Sequence, residues 1–168
     1  MKSDVQWLYW DANVFLYYLN GQPDVIPIIE ALFEEVQASR GRKKIATSVL
    51  SKVEVAYLQQ ECETQQFQKE IEERIDTLWQ DDSVIELIEF HDGIALQARE
   101  MIRQARTKGF SLKPADAIHL ASARWIEAYE IHTYDDWSRF SDMVDCPICT
   151  PSATQLSLPL KTVNSIPV

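Results

Sequence analysis

Apolar positions along this chain fall into two rhythms. Short continuous runs read as buried strands, and stretches in which apolar residues return every three or four positions read as helices with one buried face. The first run, Val5-Gln6-Trp7-Leu8-Tyr9-Trp10, ends on Asp11. Further runs are Ile45-Ala46-Thr47, Val84 to Ile88 and Ile131-His132-Thr133, with a short last strand expected near Ile148.

Helical spacing fills the gaps. It predicts a short helix from Asn13 to Asn20 and a second one with Val25, Ile29, Leu32, Phe33 and Val36 on one face, capped by Asp24 and closed at Arg40-Gly41. Ser48 is expected to cap a helix running to about Gln60. Phe67, Ile71, Ile75, Leu78 and Trp79 mark another from Thr64 to Trp79, ended by Asp81-Asp82-Ser83. His91 or Asp92 opens a helix carrying Ile94, Ala98, Met101, Ile102 and Ala105, broken at Lys108-Gly109. Pro114 starts the next, since a proline's missing N–H is not needed in a first turn. Asp135-Asp136 then leads into a turn or helix through Phe140. Strands alternating with helices predict an α/β fold around a mostly parallel sheet of four to five strands.

Such a sheet gathers the loops leaving its strands into one crevice, so acids at those junctions are candidates for chemistry. They are Asp11, Glu54, Asp116 and one of the pair Asp135-Asp136. Singly, each has a plain structural explanation. Asp11 suits a turn or a helix cap, and Asp116 in the first turn of its helix is favoured by the macrodipole by ~0.3–1 kcal/mol. Glu54 is more telling, because Leu50, Val53, Tyr57 and Leu58 place it on the apolar stripe of its own helix. An ionised group there needs a cation, such as a neighbouring Lys or Arg, a hydrogen-bond network or a raised pKa. His119, one turn beyond Asp116, reads as a core or edge histidine. Acids meeting in one crevice hold their charge only with divalent cations, and all-oxygen ligands select Mg2+ or Mn2+. Ions held in that way can activate water and stabilise a phosphodiester displacement.

With 168 residues, 46% of them hydrophobic, the chain suits one globular domain with a sizeable core. The polar start and the lack of a long apolar window predict a cytoplasmic protein without a membrane span. Three cysteines, Cys62, Cys146 and Cys149, form no paired framework. Cys146-Pro147-Ile148-Cys149 is a lone C-x-x-C whose zinc would need two more ligands from Cys62, His91, His119 and His132, so it reads as structural. A formal charge of −10 disfavours a generic polyanion-binding surface. Arg42-Lys43-Lys44 reads as a solvated loop, and Trp7, Trp10, Trp79 and Trp125 as core.

The strand-terminal Asp11-Ala12-Asn13, the Glu54 of Ser48-Val49-Leu50-Ser51-Lys52-Val53-Glu54, the block Lys113-Pro114-Ala115-Asp116-Ala117-Ile118-His119-Leu120-Ala121 and Thr133-Tyr134-Asp135 together resemble the PIN domain. The resemblance is to the VapC-type toxins of bacterial toxin-antitoxin pairs in particular. It implies a three-layer α/β/α sandwich over residues 1–150, followed by a C-terminal tail over 151–168. It also implies a Mg2+- or Mn2+-dependent ribonuclease for single-stranded RNA, dimeric and silenced by a cognate antitoxin. Asp11, Glu54, Asp116 and Asp135 match the family's catalytic, metal-holding acids, with Asn13 and Thr133 as supporting polar residues. Asp136 is either a support or a rival for the fourth acid. Apolar stripes at Ile29 and Phe33 and at Phe67 and Ile71 are the expected dimer surface. Two other readings stay open, a catalytically silent PIN-fold module that binds RNA or an antitoxin, and an Asp-dependent phosphatase, which would want Asp where residue 13 is Asn.

Overall fold

The computed structural model of the protein describes residues 5–80 and 82–153. Asp81, expected to help end a helix, and most of the predicted tail lie outside the described residues. Strand β1 (Gln6–Trp10) is followed by helices α1 (Ala12–Leu19) and α2 (Ile26–Ala38), then by β2 (Lys43–Ser48). Helices α3 (Ser51–Glu54), α4 (Gln59–Thr64) and α5 (Lys69–Gln80) lead to β3 (Ile85–Ile88). Helices α6 (Asp92–Thr107) and α7 (Pro114–Trp125) lead to β4 (Glu130–His132), a 3-10 helix (Ser138–Met143) and β5 (Ile148–Cys149).

The five strands lie in the order β3-β2-β1-β4-β5, and every pairing is parallel. The chain steps outward from β1 to β3, then crosses to the other side of β1 for β4 and β5. Because crossovers between parallel strands are right-handed, these opposite steps place their helices on opposite faces of the sheet. The strands divide accordingly. Leu8, Trp10, Ile45 and Ile85 pack into a core with residues of α1, α2 and α5, whereas Tyr9, Ala46 and Ile131 pack into a second core with α6 and α7. The expected three-layer sandwich is therefore the observed one, and both sheet faces are covered, as a parallel sheet requires.

Several local expectations are corrected. Val25, not Asp24, precedes α2, because a turn in which Gln22 O accepts from the N–H groups of Val25 and Ile26 leads the chain in. The helix expected from Ser48 to Gln60 is two pieces. Leu50 precedes α3, which stops at Val55 (φ −90, ψ 46) so that Val55 and Leu58 can turn into the core. Val53 and Tyr57 are 70% and 51% exposed, so the stripe assigned to Glu54 does not exist. Gln65, in the left-handed region (φ 53), ends α4 before α5 starts at Lys69. Phe67 thus falls between helices and is 85% exposed, while Ile29 and Ile71 are spent inside the molecule rather than offered to a dimer partner. Trp125 is half exposed at the end of α7, against the core position expected of it. Lys43 and Lys44 belong to β2 and pair with Glu35 and Glu86.

Glu61 was not singled out by the sequence and, like Asp11, is a buried acid. Its carboxylate accepts the N–H groups of Leu58 (3.2 Å) and Gln68 (2.8 Å), so its role is to tie α4 to the segment entering α5.

Candidate active site

The crevice lies where the chain steps away from β1 in opposite directions, the place where open parallel sheets bind ligands. Asp11 is the first residue past β1, and its N–H is bonded to His132 O, which holds it against β4. Its side chain is buried. Thr133 Oγ1 donates to Asp11 Oδ2 (2.9 Å) and accepts from the Asp135 N–H (3.0 Å) and from Asn13 Nδ2 (3.3 Å). Asn13 Oδ1 accepts the Tyr134 N–H (3.1 Å). Asn13 and Thr133 thus lace the start of α1 to the loop after β4. Asp11 Oδ1 is buried with no partner among the described residues.

Glu54 reaches the crevice by a different route. Thr47 Oγ1, at the end of β2, donates to Trp10 O (2.7 Å) and meets Ser51 Oγ (2.7 Å), which seats α3 on the sheet one turn before Glu54. The partner of Glu54 is neither Lys nor Arg. The Ser48 N–H donates to Tyr9 Oη (3.1 Å), Tyr9 Oη lies 2.8 Å from His119 Nδ1, and His119 Nε2 lies 2.6 Å from Glu54 Oε2. Burial pushes the Tyr9 phenol far above its ordinary range, so it stays protonated. His119 bridges Tyr9 and Glu54 through its two ring nitrogens. His119 is buried as expected, but it also aims an acid of the site. One helical turn separates it from Asp116, and Tyr9 shares a strand face with Asp11 two residues on; that spacing was the available signal for both.

Asp116 stands in the first turn of α7, half-buried, and its carboxylate takes no hydrogen bond among the described residues. Burial pushes its pKa up against the pull of Lys113, and the charges of Asp135 and Glu54 push it further. Burial likewise pushes Asp11 up to about 7; Asp135 adds to this, while His119 and the Thr133 hydrogen bond act against it. Asp135 is therefore within electrostatic reach of both Asp11 and Asp116, and Glu54 within reach of Asp116. The four acids do not close on a point: no three of these carboxylates bring oxygens within 4.8 Å of one another among the described residues. Asp135 is exposed beside the crevice, and Asp136 is not its equal. Asp136 Oδ1 accepts the N–H (3.1 Å) and Oγ (2.6 Å) of Ser138, which holds it below the usual carboxylate range as the lead into the 3-10 helix.

The PIN domain family model matches residues 8–143, most of the chain and every residue of this crevice. The chain belongs to the PIN domain family. Similar folds occur in VapBC2 from Rickettsia felis bound to a DNA fragment from their promoter, at 18% identity with 84% of this chain and 96% of that one covered (TM-score 0.59). VapBC-1 from nontypeable Haemophilus influenzae is 14% identical with 86% and 98% covered (TM-score 0.61), and FitAcB from Neisseria gonorrhoeae is 20% identical with 86% and 97% covered (TM-score 0.61). No curated protein sequence matches. PIN domains are generally nucleases that use divalent metals. The residues of this PIN domain fit a hard cation: the donors are carboxylate oxygens, and Oδ1 of Asp11 is a buried acceptor with no hydrogen-bond partner among the described residues. No helix of the described residues is long and apolar enough to cross a membrane.

Proposed function

We infer that this PIN domain is an endoribonuclease acting on single-stranded RNA in the cytoplasm, dependent on Mg2+ or Mn2+ and serving as the toxin of a type II toxin-antitoxin pair. The single observation that carries the reading is Asp11, a buried carboxylate with one oxygen laced to Thr133 and the other unpartnered, electrostatically joined to Asp135 at the sheet's crevice. Asp11, Glu54, Asp116 and Asp135 would hold the cation. Once bound, a divalent ion supplies charge for the attacking and leaving oxygens of the phosphodiester and lowers the pKa of its water. The chain's own residues do the rest. Thr133 and Asn13 keep Asp11 and the Asp135 loop in register, and the Tyr9–His119 relay keeps one oxygen of Glu54 turned inward. The solved relatives named VapBC and FitAcB support the toxin reading through their shared fold.

The experiment is cleavage of fluorescent single-stranded RNA, with duplex RNA beside it. Cleavage is expected with Mn2+ or Mg2+, none in chelator, and little on the duplex. Binding without cleavage under every metal tested would turn the reading to the silent module instead. RNA affinity should itself depend on the cation. The net charge is −10 and the cations of β2 are paired, so filter binding in chelator should be weak and should change only modestly with salt. Tight binding in chelator at moderate salt would contradict this.

The toxin reading also includes a homodimer. Light scattering at micromolar concentration should report twice the chain mass, and a clean monomer across that range would remove the dimer.

A further inference from the structure

The far edge of the sheet, on β4 and β5, carries a second cluster of metal-ligating side chains that the nuclease reading does not use. Parallel pairing sets His132 beside Cys149, and Glu130 lies two residues before His132 on the same strand face. Glu130 Oε2 is 3.0 Å from His132 Nε2. One ligand atom from each of Glu130, His132 and Cys149 lies within 4.8 Å of the others, and among the described residues no other set of three does this. We propose that Glu130, His132 and Cys149 form a zinc site that staples the edge strand β5 to β4, independently of the acidic crevice.

The donor set selects the ion. One imidazole, one thiolate and one carboxylate are a borderline-soft combination that suits Zn2+ and not Mg2+. With zinc bonds of about 2.0 to 2.3 Å, tetrahedral ligand atoms stand roughly 3.5 Å apart, so closure asks for movements on the order of 1 Å. Glu130 and Cys149, both only partly buried, have room to make them, whereas His132, 1% exposed, is already fixed. Burial lowers the His132 pKa and keeps the ring neutral, the form that binds metal. Burial and then the Glu130 charge push the Cys149 thiol up, which a cation between the two would reverse, releasing the thiol proton. Three protein ligands leave the fourth tetrahedral position to water. Cys146 is not one of them: it packs with Ile148 and Ile131 into the other core. The staple has a purpose in this fold. β5 is two residues long, with its backbone held by Ile131 N–H to Pro147 O (2.9 Å) and Thr133 N–H to Cys149 O (3.0 Å), and Thr133 is the residue that holds Asp11.

The test uses the full chain, reduced and stripped with chelator, and Co2+ as the probe. A thiolate-to-metal charge-transfer band that saturates at one thiolate-bound Co2+ per chain and is lost on adding Zn2+ is expected. Asp116→Asn and Cys146→Ser should keep the band, and Cys149→Ser should lose it. Zn2+ should raise the melting temperature of Cys146→Ser as much as that of the parent, and that of Cys149→Ser by clearly less. Should Cys149→Ser fail to fold, Glu130→Gln, altered at a partly exposed side chain, is expected to weaken Co2+ binding while the fold survives. Trp10, stacked on the His132 ring (centroids 6.3 Å, 28° between planes), gives a fluorescence signal that should change on binding. Absence of the band in the parent protein, its loss in Cys146→Ser or Asp116→Asn, or its survival in Cys149→Ser would overturn the site. None of these outcomes bears on RNA cleavage, so the nuclease reading stands or falls separately.

Discussion

Asp116→Asn is expected to abolish metal-dependent RNA cleavage while leaving the metal-free protein as stable as the parent or slightly more so. The side chain takes no hydrogen bond among the described residues, and its environment already disfavours the charged form through burial and the charges of Asp135 and Glu54. Neutralising it removes that conflict. Because the group is half-exposed, solvent screening limits the gain to about 1 kcal/mol or less. The stabilisation conferred by saturating Mn2+, which binds only the folded state, should shrink at the same time. A structural Asp116, acting only as an anion at a helix start, predicts the reverse: a loss of ~0.5–1 kcal/mol with cleavage intact. Thermal melts in chelator and in Mn2+, beside the RNA assay on both proteins, distinguish these outcomes. A destabilised variant that still cuts RNA would sink the four-carboxylate site.

Stability of the metal-free protein should fall as pH rises from about 4 to about 7. Asp11, ordinarily near 3.8, stands at about 7 in the folded protein, so the folded state holds its proton more tightly than the unfolded chain does. That contribution is fully present below the unfolded value and is lost as pH rises through the folded one. A shift of about three units sets a ceiling of about 4 kcal/mol, and water entering the crevice reduces it. Asp116 works in the same direction. Mn2+ should oppose the fall, its stabilising effect growing with pH because it binds the ionised carboxylates. Denaturant titrations in chelator from pH 4 to 8 measure the slope. Asp11→Asn, which keeps an oxygen for the Thr133 hydroxyl, should flatten it; an unchanged slope in that variant would show that Asp11 is not the group responsible.

Much of the frame was legible because it depends on local chemistry. The aromatic run ending at Trp10, the β-branched run before Ser48 and the proline opening α7 each act through burial, chain stiffness or a missing donor, and those act within a few residues. Asp11, Asp116 and Asp135 were legible for a similar reason, since each sits where a strand or helix begins or ends, whereas Glu54 was singled out by an apolar stripe that the fold does not form. The stretch from Ser48 to Phe67 was not. Apolar residues recur there at helical spacing, yet Val53, Tyr57 and Phe67 face solvent while Ser51, Val55 and Leu58 face inward. The seat of α3 on Thr47 and Trp10, a contact between distant parts of the chain, overrides the periodicity.

The sequence by itself determined an α/β chain with a parallel sheet, because hydrophobic period is a property of short segments, and the three layers came with the resemblance to the PIN domain. Only the tertiary structure decided what each acid touches. It made His119 the partner of Glu54, set Asp136 to serve Ser138, and left the Asp135 carboxylate and one oxygen of Asp11 without a hydrogen bond among the described residues. It also set His132 against Cys149, which counting ligands along the chain had kept apart. Pairings between residues 65 or 122 positions apart depend on strand register and helix seating, and no local rhythm in the chain encodes them.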